Sequence, residues 1–320
     1  MRARLAAFEI TARQFEIAAL IALIALSAIV MSGAAVRLTG SGLGCPDWPR
    51  CYGHVYPPLH AHSVIEFSNR AVGAIVGVVT VVTALFAWRR RPFRRDLMRL
   101  SLALPLGVVA QAVLGGFTVE NKLAPGFVMA HFALSMVILV AAAALWWRAR
   151  EQGEPRARSS DRVAVWAVRA LMPFAAIVLF VGTAATAAGP HSGGAVGQHI
   201  KRLTFDGSDT LNLTVHVHGA IAFAFGIFAV LVWVMLERRR ADRRLRLAVS
   251  HVCALVALQG IVGTVQYDTH LPTELVWVHV TLATLTWLSV LWAVSAAGRL
   301  APRPATRAAQ IRASVTGRNG

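Results

Sequence analysis

Long apolar runs separated by short polar connections make up most of this chain. Eight such runs lie at about 17–36, 71–88, 100–119, 127–147, 170–189, 219–236, 247–267 and 275–298. Each approaches the ~20 residues that an α-helix needs to cross the hydrocarbon core of a bilayer. The runs lack the apolar–polar alternation that is typical of membrane β-strands. The pattern therefore predicts an all-α membrane protein with eight transmembrane helices.

The basic residues indicate how the helices are oriented. The chain is 56% apolar and 15% charged, with a net charge of +17. All but six of its 32 Lys and Arg residues lie in the two terminal tails and in the connections that follow the second, fourth and sixth runs. Cytoplasmic loops carry such an excess of basic residues. We therefore predict a multi-pass plasma-membrane protein with both termini in the cytoplasm, and we interpret the charge as a topology signal, with no nucleic-acid partner.

The second half of the chain repeats landmarks of the first. A separation of 36 residues occurs in both halves, and so does a separation of 20 residues. The matching pairs are Gly33/Asn69 with Gly182/His218, and Gln111/His131 with Gln259/His279. We predict two tandem four-helix bundles related by a pseudo-twofold axis along the membrane normal. Residues 1–150 would form the first bundle, 151–163 a cytoplasmic linker, 164–298 the second bundle and 299–320 a basic cytoplasmic tail.

Four repeat-related positions lie near the external ends of the even-numbered spans. They are Asn69, His131, His218 and His279. Two imidazoles on facing helices are a common way for a helical bundle to hold haem iron. A hydrogen-bonded membrane histidine is the simpler interpretation of any one of them, but the paired spacing favours iron ligation by His218 and His279.

Glu66 lies at the external mouth of the second span. Asn69 and Arg70 follow it at i+3 and i+4 and therefore share its helical face. An acid at the membrane border is a functional-site hypothesis. The alternative is an ion pair with Arg70 or Arg37 that only caps the helix. The second half has Val215 at the matching position, so the two halves have diverged.

The first external connection contains the segment TGSGLGCPDWPRCYG, residues 39–53. Its glycines allow the backbone to approach a bulky ring closely. Cys45 and Cys51 would face an oxidising compartment, where a disulfide can persist. The pair is either a structural clip or a redox-active pair, and the sequence leaves both open.

Several of these segments together resemble haem A synthase. They are VRLTGSGLGCPDWPRCYG, IEFSNR, QAVLGGFTV, APGFVMAHFALSM and WVHVTLA. The resemblance implies eight spans in two similar halves, and an enzyme that oxidises the C8 methyl group of haem O to a formyl group, giving haem A for terminal oxidases. It also implies that His218 and His279 ligate a haem b cofactor, and that the half with Glu66 and His131 holds the haem O substrate. The cysteine pair matches one in the same loop of many family members.

One motif departs from the family. The second span usually has Glu-x-x-His-Arg, and this chain has Asn69 in place of that histidine. We expect His131 alone to hold the substrate iron, unless a loop histidine, His60 or His62, reaches in.

Arg37 and Arg70 are expected to pair with the haem propionates, because guanidinium meets carboxylate in a bidentate fork; membrane-border anchoring is the alternative. A haem O synthase and an electron donor are candidate partners, and homo-oligomerisation stays open. The competing function is a dihaem b-type electron-transfer protein, which Asn69 disfavours because four histidine ligands would be needed.

Overall fold

The computed structural model describes residues 9–151 and 158–301. Within these ranges the chain forms eight helices, and each is long and apolar enough to cross a membrane. The helices are α1 (Ala12–Leu38), α2 (Ala61–Arg89), α3 (Arg95–Glu120), α4 (Pro125–Arg150), α5 (Arg162–Ala188), α6 (Thr210–Arg238), α7 (Arg243–Asp268) and α8 (Thr273–Ala296). The predicted all-α membrane architecture is confirmed. Six helices extend beyond their apolar runs at both ends, whereas α5 and α8 begin before their runs and end one and two residues short of them.

Local sequence signals set most of the helix starts. Thr11 and Gln14 form a capping box at the start of α1, and Asp161, Asp209 and Asp242 accept backbone N–H groups at the starts of α5, α6 and α7. Such caps satisfy amides that have no partner within the helix.

Within each half, the four helices pack in a closed ring. Helix α1 packs on α2, α2 on α3, α3 on α4 and α4 on α1, and α5 to α8 follow the same order. The two rings meet where α8 packs on α1 and α4 and where α4 packs on α5. Trp277 and Trp287 of α8 donate their indole N–H groups to the carbonyls of Met31 and Met136 in the first half. This arrangement agrees with two tandem bundles, and the twofold axis between them stays a prediction.

In α3, α4, α7 and α8 the packing is denser near the arginine-rich connections than in the following or preceding segments on the other side of the bundle. In α7 the last buried residue is Val252, and in α8 the first is Thr284. The first half behaves alike: α4 has no buried residue before Met136, and α3 has none from Pro105 to Gly115. His131 and His279 lie in these looser segments, and His218 lies in the stretch of α6 that has no buried residue between Thr214 and Phe225.

A short contact joins the linker to the end of the last helix. Strands β1 (Arg158–Ser159) and β2 (Arg299–Leu300) pair in parallel, and the sequence pattern gave no sign of this contact. Most of the predicted linker and tail, residues 152–157 and 302–320, lies outside the described residues.

Candidate functional site

Three histidines pack against glycines at repeat-related positions of the preceding helix. In each case the atom nearest to the position of a glycine Cβ, apart from the adjoining residues and the nearby backbone of the same helix, is a ring carbon, Cε1. The distances from that Cβ position to Cε1 are 2.9 Å for Gly182 and His218, 3.2 Å for Gly263 and His279, and 3.4 Å for Gly115 and His131. The glycines that mark the sequence repeat therefore make room for the imidazoles.

The second-half pair has the geometry of two ligands across one metal. The ring centroids of His218 and His279 are 6.3 Å apart, with ring planes 79° to one another. Imidazole nitrogen binds a transition metal at about 2 Å, so two rings on opposite sides of one ion have centroids ~6 Å apart. Both Nδ1 atoms are buried without a hydrogen-bond partner, which is costly unless the ring gains another interaction. These residues fit a bis-histidine haem.

The first-half site has one histidine and a polar pair. Gln111 donates its amide N–H to the carbonyl of His131 at 3.0 Å and to Ser135 at 2.6 Å, while His131 Nδ1 is buried without a hydrogen-bond partner. Across the bundle, the hydroxyl of Ser32 lies 2.7 Å from the amide oxygen of Asn69. The sequence pattern alone did not single out Ser32. Its counterpart in the second half is Val181, and this difference between the two halves is the signal that could have identified it.

Glu66 is buried, with 5% of its surface exposed, and both of its carboxylate oxygens have partners. Oε1 accepts from Arg70 at 2.6 Å, and Oε2 accepts from the backbone N–H of Cys45 at 2.7 Å. The ion pair that the sequence offered as an alternative is therefore present. A carboxylate has about four acceptor positions, so Glu66 keeps capacity for a further proton donor.

The structure contains a disulfide between Cys45 and Cys51, and both residues are fully buried. Arg70 fastens the loop: its guanidinium donates to the carbonyls of Cys45, Asp47 and Arg50. The loop and the catalytic candidate Glu66 are therefore held by one arginine.

Two further contacts shape the loop. The Asp47 carboxylate accepts the backbone N–H groups of Gly53 and Tyr52 at 2.7 and 2.6 Å, and these bonds, that of Gly53 first, lower the pKa of Asp47. The indole of Trp48 lies against α3, where a Cβ at Gly116 would be 3.2 Å from the ring. The loop therefore reaches the residue next to Gly115, against which His131 packs.

The equivalent loop of the second half, between α5 and α6, interlocks with this one. Gly42 donates its N–H to the carbonyl of Gly193 at 2.7 Å. A Cβ at Gly40, which has a φ of +68°, would lie 2.8 Å from the carbonyl oxygen of Gly194. Arg37 donates to the carbonyls of His191 and Thr186, both at 2.8 Å. The two halves are therefore joined through these two loops.

These contacts place the remaining predicted residues. Arg37 and Arg70 both hold loop carbonyls, and their pairing with propionates stays a prediction. His62 bonds Ser41 at 2.9 Å, and His60 lines an outer cavity with Tyr56 and Pro58. Cys253 is a free thiol.

Fold and site together define an eight-helix membrane protein with a histidine pair suited to haem. Its sequence matches the COX15-CtaA family of cytochrome oxidase assembly proteins over residues 16–64 and 59–291. The chain belongs to this family, and membership implies that it binds haem.

Individual relatives agree with this assignment. A haem A synthase of Alkalihalophilus pseudofirmus is 32% identical over 143 residues, 44% of this chain and 48% of that protein. A haem A synthase of Shouchella clausii is 26% identical over 246 residues, 73% of this chain and 79% of that protein. A protohaem IX farnesyltransferase of Thermus thermophilus is 29% identical over 290 residues, 86% of this chain and 47% of that protein. The chain thus spans about half the length of the first and third of these relatives.

Proposed function

We propose that this protein is a haem A synthase, an oxidoreductase that converts the C8 methyl group of haem O into a formyl group by successive hydroxylations. The observation that carries the proposal is the asymmetry of two similar bundles. The second bundle has two facing imidazoles and Val215 at the position that matches Glu66, and the first has one predicted imidazole ligand with the buried Glu66–Arg70 pair. A protein that only carried electrons would have no use for this difference.

In the second bundle, His218 and His279 would hold a resident haem b. Such a haem supplies one-electron redox chemistry when bound. The protein's own contribution is to fix the two rings: Gly182 and Gly263 leave just enough space for the imidazoles, and the helix walls restrict their rotation.

In the first bundle, His131 would hold the iron of haem O and Glu66 would face the methyl group that is oxidised. Each hydroxylation replaces a C–H bond by a C–O bond and transfers two electrons from the carbon to an external oxidant of the dioxygen or electron-acceptor class, and the doubly hydroxylated carbon loses water to give the aldehyde. In that last step Glu66 would accept the proton of one hydroxyl group and return it to the other, which leaves as water. Its bonds to Arg70 and to the Cys45 N–H fix the carboxylate in place, and positioned acid–base groups of this kind contribute about 10²–10⁴ in rate.

The disulfide loop would close the external mouth of the first bundle as a structural clip. The support is its burial and the number of bonds that tie it to α2 through Arg70, together with the bond from Ser63 Oγ to the carbonyl of Gly44 at 2.6 Å. The cytoplasmic position of both termini and the placement of both haem sites towards the external face belong to the same proposal and depend on the basic connections.

A haem O synthase is the proposed source of the substrate. The Thermus thermophilus protohaem IX farnesyltransferase matches 86% of this chain with only 47% of its own length. The other half of that protein thus lies outside the match. This supports a physical association between the activity that makes haem O and the one that consumes it.

The proposal is tested by haem analysis of cells that supply haem O and express either the wild type or Glu66→Gln. Glutamine keeps the size of Glu66 and one acceptor oxygen, removes the basicity of the side chain, and can keep only one of the two bonds that the carboxylate accepts from Arg70 and from the Cys45 N–H. We expect haem A with the wild type, and haem O or a hydroxylated form with the variant. Haem b alone in both purified proteins, with unchanged reducible spectra, would favour the electron carrier.

A further inference from the structure

The two bundles differ at one pair of neighbouring positions beside the proposed iron sites. Ser32 and Asn69 occupy the positions at which the second half has Val181 and His218. Next to them, no atom other than those of the adjoining residues and the nearby backbone of α1 lies within 4 Å of the position that a Cβ on Gly33 would occupy, whereas the equivalent position in the second half meets the His218 ring at 2.9 Å. An imidazole is thus replaced by a shorter amide and an open space.

We infer that Asn69 and Ser32 make the first bundle a one-histidine site whose second face binds a small ligand. The inference rests on the proposed function, because it concerns the haem O substrate. His131 is the only imidazole on this iron, and Asn69 is a positioning residue that donates a hydrogen bond to whatever small molecule enters beside Gly33.

The bond between Ser32 and Asn69 determines what the amide presents to this space. Ser32 donates a hydrogen bond of 2.7 Å to the amide oxygen of Asn69, so this bond orients the amide and takes one of the two acceptor positions of that oxygen. The amide nitrogen carries two N–H donors and no lone pair for a metal. The pair therefore supplies a hydrogen-bond donor at the position where the second half has an imidazole.

No other imidazole takes the place of the missing ligand among the described residues. His62 is bonded to Ser41 at 2.9 Å, and His60 lies on the outer loop cavity. No histidine atom is within 4 Å of the Cβ position of Gly33. The expectation that a loop histidine reaches in has no support from these contacts.

The test compares spin state and cyanide binding of the purified full chain from cells that supply haem O. The wild type should contain one high-spin haem that binds cyanide and one low-spin haem that does not. Asn69→His should make the first-bundle haem low-spin and weaken cyanide binding by about tenfold or more, as changes near a metal commonly do. Ser32→Val should keep the high-spin signal and weaken cyanide binding several-fold, because the donor is no longer oriented.

The matched control exchanges the same pair in the other bundle. Val181→Ser combined with His218→Asn should create a second high-spin, cyanide-binding haem. This variant also keeps the inference testable if Asn69→His does not fold, since a second site that stays low-spin would contradict the role given to the pair.

Failure of the inference and failure of the proposed function give different results. A wild type that holds a farnesylated haem in low-spin, cyanide-inert form would overturn the one-histidine site and leave the proposed function standing. A wild type that never holds a farnesylated haem would overturn both.

Discussion

At the residue scale, the contact between a glycine and an imidazole fixes each proposed iron ligand. A Cβ position less than 3.0 Å from a ring carbon leaves no room for any larger residue unless the ring moves. The shortest contact is 2.9 Å, at Gly182, and the longest is 3.4 Å, at Gly115. Replacing the glycine by alanine should therefore displace the imidazole most at Gly182 and least at Gly115.

Gly182→Ala should displace His218 and lower the affinity for haem b by about tenfold or more. The ratio of haem b to protein and the low-spin signal of the purified variant measure this effect. Gly260→Ala, on α7 with nothing within 4 Å of its Cβ position, is the control. Full haem b content and an unchanged spectrum in Gly182→Ala would show that the contact does not position the ring.

Arg70 should be irreplaceable by lysine, because one guanidinium serves Glu66 and three loop carbonyls. Removing one partner of a buried ion pair costs about 3–5 kcal/mol, and the side chains of Arg70 and Glu66 are only 16% and 7% exposed. Arg70→Lys should keep the charge and lose the fork. Amide hydrogen exchange of residues 45–53 should rise in Arg70→Lys and should not change in Arg50→Lys, the control; equal protection in all three proteins would contradict the assignment.

At the element scale, the loop between α1 and α2 and the loop between α5 and α6 hold the two bundles together. Gly40 and Gly42 of the first loop approach Gly193 and Gly194 of the second so closely that their backbones touch. This explains the glycines in both connections: they permit contact between the loops themselves.

Gly40→Ala should destabilise the protein for two reasons. The residue has a positive φ, which costs a non-glycine residue about 1–2 kcal/mol, and its Cβ would lie 2.8 Å from a backbone oxygen. Gly53→Ala isolates the first effect, since Gly53 also has a positive φ but has open space around it. Thermal unfolding in detergent should rank Gly40→Ala below Gly53→Ala, and equal melting temperatures would contradict the close contact.

The start of α5 should depend on pH through Asp161. Asp161 accepts the N–H of Ala164 at 3.0 Å and forms an ion pair with Arg239 at 2.9 Å; the backbone bond first and the arginine second lower the pKa of this carboxyl. The folded pKa is lower than the unfolded pKa, so the stabilisation is complete above the ordinary pKa of about 4 and is lost as the pH falls through the folded value.

Asp161→Ala should therefore cost about 1 kcal/mol at neutral pH. The cost should stay constant from pH 7 to pH 5 and shrink below pH 4, while Asp161→Asn should keep the cap and lose only the ion pair. Unfolding in detergent over this pH range measures the difference. A cost that stays constant down to pH 3 would mean that ionised Asp161 does not stabilise the start of α5.

At the scale of the whole molecule, periodic or repeated features could be predicted and contacts between distant loops could not. The apolar runs predicted eight helices, and the fixed spacing of Gln111 to His131 and of Gln259 to His279 located the histidines. The bond between Cys45 and Glu66 and the interlocked external loops depend on how non-periodic segments fold over one another. Sequence spacing contains no signal for such contacts.

Asn69 illustrates the same limit within a helix. Its departure from the repeat was visible in the sequence, but its hydrogen bond to Ser32 depends on how α1 and α2 pack. Ser32 could have been found only by asking which residue beside Gly33 also changes between the halves.

The central claim is a division of labour, with haem b resident in the second bundle and haem O bound in the first. The most direct measurement is the identity and amount of each haem extracted from the purified wild type, from His131→Ala and from His218→Ala combined with His279→Ala. We predict that His131→Ala loses the farnesylated haem and keeps haem b, and that the double variant loses haem b and keeps the farnesylated haem. Loss of the same haem from both variants, in protein that remains folded, would contradict the account.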